Sequence, residues 1–177
     1  RPRIPEGFAD INYLTNQSIL ELEEIPKHLV VVGGGYIGLE FAQMFRRFGS
    51  KVTLVEMADR LVKREDKDIS LAIMDILEGE GIELRMQATC LSGREENGQI
   101  IVNLKCEKGP PEVACSHLLL ATGRVPNTDN LDLELAGVKM NERGYITVND
   151  RLQTNQPHIY ALGDCNGQGA FTHTAYN

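Results

Sequence analysis

The chain has 177 residues, 42% of them hydrophobic, and a net charge of −7. That length accommodates one domain or two small lobes around a sizeable core. The acidic balance argues against nucleic acid or an anionic membrane as partner, and no apolar run is long enough to span a bilayer. The sequence starts at Arg1 rather than Met and stops at Asn177 without a stop signal, so the expectation is a fragment of a longer protein.

Residues 1–24 carry prolines at 2 and 5 and, after Ser18, a short turn of helix at Ile19-Leu20-Glu21-Leu22. Pro26 leads into an apolar strand, His28-Leu29-Val30-Val31-Val32. The turn Gly33-Gly34-Gly35-Tyr36-Ile37-Gly38 follows and opens a helix whose predicted buried stripe is Ile37, Phe41, Phe45 and Phe48. Arg46 and Arg47 suit the helix C-terminus, and Gly49 stops it. Lys51 to Val55 is a second strand, ending at Glu56. A second helix is predicted over 68–78, with Ile69, Ala72, Ile73, Ile76 and Leu77 at core spacing. Ile82 to Met86 is a third strand. The order β-α-β-α-β implies a parallel sheet with right-handed crossovers.

An antiparallel excursion comes next. Asn97-Gly98 predicts a hairpin between residues 87–94 and 99–106. Gly109-Pro110-Pro111 makes another turn, and Cys115 to Thr122 returns as one buried strand. Gly123-Arg124-Val125-Pro126-Asn127 is a loop, and a boundary near residue 124 fits the change of character beyond it. Lys139-Met140 and Tyr145 to Val148 flank a hairpin turn at Asn141–Gly144. Ile159-Tyr160-Ala161-Leu162 is a short apolar strand ending in Gly163-Asp164.

The glycine turn has the context a dinucleotide fingerprint requires, with strand before it and helix after it. Gly33 permits the tight turn, Gly35 leaves room for a pyrophosphate against the backbone, and Gly38 lets the helix lie close on the strand. The helix N-terminus offers N–H groups and a positive dipole end to phosphates. Glu56 stands 18 residues beyond Gly38, at the end of the next strand, where an acid accepts hydrogen bonds from an adenosine ribose. It would repel a 2′-phosphate by roughly 1–4 kcal/mol, so NADH is favoured over NADPH. Arg60, Lys63 and Arg64 follow, and their alternatives are a phosphate contact or a solvated loop.

Four cysteines stand at 90, 106, 115 and 165 without CxxC or CxxxxC spacing. They read as isolated thiols of a reducing cytoplasm. Cys115 and His117 could share one strand face as metal ligands do, but no second pair at ligand spacing accompanies them, so no metal is expected.

Three segments together resemble the pyridine nucleotide-disulfide oxidoreductases, the flavoenzymes that include dihydrolipoamide dehydrogenase, glutathione reductase and mercuric reductase. They are Gly33 to Glu40, Ala121-Thr122-Gly123-Arg124-Val125-Pro126-Asn127, and Thr154 through Ile159-Tyr160-Ala161-Leu162-Gly163-Asp164. The implied fold is α/β: a Rossmann-like parallel sheet with helices on both faces, an antiparallel β-meander insertion, and a short β-rich segment returning to an FAD domain outside this sequence. The implied organisation is a connecting segment over 1–24, an NAD(P)H-binding domain over 25–124 and the return segment over 125–177.

The resemblance also implies roles. Gly33, Gly35 and Gly38 would shape the pyrophosphate site, with Gly34 and Ile37 among the cofactor-binding residues. Tyr36 resembles a gate over the nicotinamide pocket. Glu40 resembles a glutamate that pairs with a lysine beside the flavin. Gly123 and Arg124 would pass near the nicotinamide, and Asp164 would hydrogen-bond the flavin's ribityl chain. His173 lies near the flavin in family members, although a surface histidine is the plainer reading. The family's redox CxxxxC pair, catalytic His and dimerisation domain have no counterpart here, so no catalytic residue is assigned.

The expectation is therefore NAD(H) binding (NADP(H) being the alternative) without turnover by this chain alone. FAD, the dimerisation domain and a homodimeric, cytoplasmic state belong to the parent. The flavour of the sequence, including Arg64-Glu65-Asp66, points to the mercuric reductase-like branch, with a lipoamide dehydrogenase as the other branch. A stand-alone NAD(H)-sensing module is the competing class, but it would have no use for the Thr154–Asp164 segment. A short dehydrogenase would need a YxxxK pair, which the sequence lacks.

Overall fold

In a computed structural model of the chain, residues 1–169 are described, except for the side chain of Cys90; His173 lies outside them. The chain divides into two compact units, one running from Pro2 to Gly123 and the other comprising Arg1 and the residues from Arg124 onward.

In the first unit, β1 (His28–Val32), β2 (Lys51–Val55), β3 (Glu83–Arg85) and β7 (His117–Leu120) form a four-stranded sheet in the order β3-β2-β1-β7. All its pairings are parallel, with Val32 opposite Val55 on one side and Leu120 on the other. β4 (Thr89–Glu96), β5 (Gln99–Lys105) and β6 (Glu112–Cys115) form a separate antiparallel meander. The α/β class with a parallel sheet and a meander is as the sequence implies.

The two-residue period of a strand sorts the core into two layers. Leu29, Val31, Val52, Leu54, Leu84 and Leu119 face Ala42 and Phe45 of α1 (Tyr36–Arg47) and Leu77 of α2 (Lys67–Gly79). Val30, Val32, Val55, Leu118 and Leu120 face the meander's Val102, Leu104 and Val113, together with Phe8. Where helices are expected on both faces, α1 and α2 share one face, and the meander with the 3₁₀ turn at Glu6–Phe8 covers the other. The antiparallel insertion supplies enough apolar area there to take a helix's place.

Three predicted details change. Phe48 is 55% exposed, because α1 ends before it. The deep positions of α1 are Gly38, Ala42 and Phe45, small enough at the first two for the helix to approach the sheet. α2 is rotated by one residue from its predicted face. Ser70 and Leu77 are buried, while Ile69 and Ile76 are 48% and 55% exposed. The cause is polar, since the Ser70 hydroxyl donates to Leu61 O at 2.7 Å in the interior, and a buried carbonyl left without a donor costs more than an exposed isoleucine. The predicted strand from Cys115 to Thr122 is broken at Ser116, whose hydroxyl donates to His28 O at 3.0 Å and accepts the His28 N–H at 3.1 Å. Ser116 hands the chain from meander to parallel sheet, so Cys115 and His117 fall in different sheets.

The second unit has a small core of Val138, Ile146 and Ala161. Among its described residues the predicted hairpin shrinks to an isolated bridge, Met140 with Ile146, and the predicted strand from Ile159 to another, Tyr160 with Gln153. Gly163–Asn166 is a 3₁₀ turn. Tyr160 and Leu162 are 54% and 60% exposed, so the run from Ile159 finds no sheet to join.

Candidate functional site

At the C-terminal ends of β1, β2 and β7 lies a cleft of about 640 Å³. Its lining includes Gly33, Gly34, Gly35, Tyr36, Glu56 and Gly123. The end of a parallel strand array, where loops diverge, is where α/β folds place ligands, and the volume is in the range of small-molecule sites.

Each glycine of the turn answers a different demand. Gly33 has φ +118°, and a Cβ on it would collide with the carbonyl of Ala121, which follows β7. A Cβ on Gly38 would drive into the carbonyl oxygen of Gly33, so α1 lies on the turn only because that position is bare. Around Gly35 a Cβ would meet nothing within 4 Å. That residue is open by space rather than by conformation. Gly35 also caps α1 without a side-chain hydrogen bond, which leaves the positive end of the helix directed at that space.

Glu56 does more than stand at the end of β2. Its Oε2 accepts the Gly34 N–H at 2.5 Å and its Oε1 accepts the Ala58 N–H at 2.8 Å. The carboxylate thereby ties the turn to the loop after β2, with lone pairs left over for a further donor.

The sequence offered that loop's basic residues as either a phosphate contact or a solvated loop, but did not announce its buried anchor. Leu61 and Val62, 0% and 6% exposed, are buried beneath a charged segment. Val62 N–H donates to Gly34 O at 2.9 Å. Val62 has φ +37°, a strained value for a β-branched residue, and this hydrogen bond helps hold it there. Two adjacent apolar residues inside Arg60–Arg64 were the available signal. Arg60, Lys63 and Arg64 all line the cleft, and Arg60 Nη2 donates to Lys63 O at 3.0 Å. Glu65 accepts the Tyr36 hydroxyl, and holding that proton raises the Tyr36 phenol above its ordinary pKa.

The remaining predicted residues lie elsewhere. Ile37 is half-buried in the first turn of α1, and Glu40 is exposed one turn on; neither lines the cleft. Arg124 and Asp164 belong to the second unit and pair with each other at 2.9 Å, their side chains 43% and 55% exposed. Cys115 is buried, and desolvation pushes its thiol up to about 12, far from a reactive thiolate. Cys106, Cys115 and Cys165 are free thiols. Among the described residues no helix is long and apolar enough to cross a membrane.

Comparison with known proteins adds a family. The model described as pyridine nucleotide-disulphide oxidoreductase matches residues 1–177. Mercuric reductase from Streptomyces lividans is 41% identical over 170 residues, covering 96% of this chain and 36% of that protein. Dihydrolipoyl dehydrogenase from Bacillus subtilis is 41% identical over 164 residues, covering 93% and 35%. Among solved structures, the Cu(II) complex of the HOCl-induced flavoprotein disulfide reductase RclA from Escherichia coli superposes with a TM-score of 0.83 at 38% identity, covering 97% of this chain and 37% of that one. LpdA from Mycobacterium tuberculosis gives 0.87 at 32% identity, covering 98% and 38%. The chain thus spans a little over a third of the length of each of these four relatives.

Proposed function

The chain belongs to the pyridine nucleotide-disulphide oxidoreductase family, and from that premise we propose that it is the NAD(P)H-binding part of an FAD-dependent oxidoreductase. The parent would pass hydride from NADH to flavin and on to a disulfide, a metal ion or another acceptor. The observation that carries this reading is an open Gly35 in the same cleft as the Glu56 carboxylate, which is tied to the neighbouring Gly34. A dinucleotide needs both features, room for a pyrophosphate against backbone N–H groups and an acceptor for ribose hydroxyls.

In this reading Gly33, Gly34, Gly35 and the first turn of α1 bind phosphate, and Gly38 keeps that helix close. Glu56 takes the ribose hydroxyls and orients the turn through Gly34. Tyr36 and Gly123 border the nicotinamide end. When bound, the nicotinamide supplies a hydride and the flavin accepts it. The chain's own contribution is to bind, orient and exclude water. Residues 25–124 would be the nucleotide domain, following the connecting segment over 1–24, and 125–177 a return to an FAD domain. Asp164 would turn from Arg124 to share its carboxylate with the flavin's ribityl chain, and Glu40 would meet a lysine supplied by that domain. Because the redox pair and terminal domain lie outside this sequence, no turnover is expected of this chain alone. The free thiols suit a cytoplasmic setting, and the parent would be a homodimer.

Calorimetric titration of the 177-residue chain with NADH and NADPH tests this. NADH should bind about tenfold tighter, the expected consequence of a 2′-phosphate placed beside a carboxylate. Glu56→Ala should bring the two affinities together. Loosening of the Gly34 tie weakens both ligands alike, so the ratio isolates the ribose contact. Tighter NADPH binding would transfer the recognition to Arg60, Lys63 and Arg64. Binding of neither ligand would overturn the nucleotide reading.

A further inference from the structure

Ser70 lies in the first turn of α2, completely buried, and its hydroxyl donates to Leu61 O at 2.7 Å. The carbonyl of Leu61 and the N–H of Val62 belong to one peptide group. That group is planar and trans, so the two point in opposite directions. The Val62 N–H donates in turn to Gly34 O at 2.9 Å. The Gly34 carbonyl shares its own trans peptide with the Gly35 N–H, which by the same geometry points away from Val62. Gly35 lines the cleft. A hydroxyl in the interior thus heads a line of two peptide groups, each accepting at its oxygen, and the last N–H of the line belongs to the open glycine.

Neighbouring contacts hold this line in place. The Gly34 N–H donates to Glu56 Oε2, and a Cβ on Gly34 would come within 2.5 Å of Leu61 Cδ2, so the leucine side chain lies against the bare glycine. Val62 keeps its place in the line at φ +37°, a value that costs a β-branched residue energy.

We propose that Ser70 is a positioning residue for the phosphate site. Through Leu61 and Val62 it fixes the plane of the Gly34–Gly35 peptide and polarises the Gly35 N–H as a donor to a pyrophosphate. Such a role rests on the nucleotide reading above. A peptide oxygen that accepts a hydrogen bond makes the N–H of the same group a stronger donor, so aligned bonds reinforce one another. The loop after β2 then acts in two ways. Its basic residues line the cleft, and its buried peptide connects the cleft to α2.

Calorimetric titration of the full chain and its variants with NADH tests the connection. Ser70→Ala removes the head of the line. Leu61→Val keeps the backbone bonds and withdraws the methyl group that lies against Gly34. Leu77→Val trims a buried residue of the same helix and the same apolar layer that takes no part in the line. Ser70→Ala and Leu61→Val should each weaken NADH binding by about threefold to tenfold, the range for one lost or misaligned hydrogen bond. Leu77→Val should keep the parent's affinity while its urea midpoint falls. If Ser70→Ala fails to fold, Leu61→Val carries the same test.

The amide resonance of Gly35 gives a second readout that needs no nucleotide. Ser70 bonds to Leu61 rather than to the glycine turn, so a shift of that resonance in Ser70→Ala reports the line itself, and Leu77→Val should leave it in place. An unmoved resonance in Ser70→Ala and Leu61→Val, with both affinities at the parent's value, overturns the positioning role and leaves the nucleotide reading standing. Weakening in Leu77→Val as large as in Ser70→Ala would make the effect a general softening of the fold and overturn the role equally. Loss of affinity in Leu61→Val alone would end the line at Leu61 and remove Ser70 from it. A Gly35 shift in a chain whose parent binds no NADH would overturn the nucleotide reading and, with it, any role in holding phosphate.

Discussion

The two units of this chain are held together by different means. From Pro2 to Gly123 the chain builds a four-stranded parallel sheet with an apolar layer on each face. From Arg124 the same kind of sequence, short apolar runs separated by polar turns, yields among the described residues bridges and turns around the apolar cluster of Val138, Ile146 and Ala161. What substitutes for a sheet is side-chain to backbone bonding. Asn141 Oδ1 accepts N–H groups from Arg143 and Tyr145 at 2.9 and 3.1 Å. Asn149 Oδ1 accepts from Arg151 and Gln153 at the same distances. The backbone bonds repeat as well. Asn141 N–H donates to Tyr145 O as Asn149 N–H does to Gln153 O. Two copies of one asparagine turn thus frame the small core. A strand needs a neighbour to pair its backbone groups; without one, a local acceptor can satisfy them at lower cost in burial.

Substitutions at glycine sharpen this contrast, because the same added Cβ meets a different obstacle in each place. The largest effect should be on binding. Gly35→Val adds a side chain whose Cβ meets nothing within 4 Å beyond its chain neighbours, so folding should be little changed. It would fill the approach to the helix N-terminus and remove about two charge-assisted hydrogen bonds, lowering NADH affinity about a hundredfold. Calorimetry measures the affinity, and a urea midpoint confirms the fold. Unchanged affinity would show that phosphate is not held there.

Gly38→Ala should do the reverse. The new Cβ presses on the Gly33 carbonyl, a backbone atom that can move only if α1 lifts from the sheet. A destabilisation of about 3 kcal/mol is expected, at the upper end for overpacking, and is read as a fall in the urea midpoint of the sheet unit. Gly144→Ala tests the other unit. There a Cβ meets only Pro126 Cγ at 3.5 Å and Thr128 Oγ1 at 3.9 Å, so space is ample and the obstacle is φ +81°. The cost should be about 1 kcal/mol, the penalty for a left-handed side-chain residue. Leu152 already holds φ +58° in the twin turn, which shows that this scaffold tolerates that strain. If Gly144→Ala proved as damaging as Gly38→Ala, the second unit would depend on close packing after all.

The same division governs how much was legible in the sequence. The glycine turn, α1 and the hairpin at Asn97-Gly98 follow local rules. Both hairpin residues have positive φ, 52° and 76°, as a two-residue turn of that composition requires. The errors lie where a distant partner decides. Ser70 turns α2 because Leu61 O needs a donor. Ser116 breaks a strand because His28 offers both an N–H and a C=O. Of the site, the glycines and Glu56 were readable from spacing. The Glu56 bond to Gly34 and the Tyr36 bond to Glu65 span 22 and 29 residues, and no periodicity carries them. The hairpin over 139–148 and the strand from Ile159 presupposed a sheet that the described residues of the second unit do not supply.

The smallest expected effect concerns a polar row on the meander face of the sheet. His28 Nε2 lies 3.0 Å from Thr53 Oγ1, whose hydroxyl donates to Glu83 at 3.1 Å, and Glu83 pairs with buried Arg85 at 2.6 Å. The His28 imidazole is held below its ordinary value of 6.5, first by burial and then by Lys51, against the Ala114 backbone and Glu83. Folded His28 therefore binds fewer protons than unfolded His28 in the interval beneath 6.5. Its contribution leaves stability undiminished above that value and lowers it as pH falls from there toward the native pKa. Urea midpoints taken on either side of 6.5 should show a shallow decline in the parent chain and a flatter one in His28→Gln. The slope removed by the substitution belongs to the sheet unit, because His28 lies on β1. An identical slope in both chains would assign the pH dependence to other groups and make the row a purely geometric tie between strands.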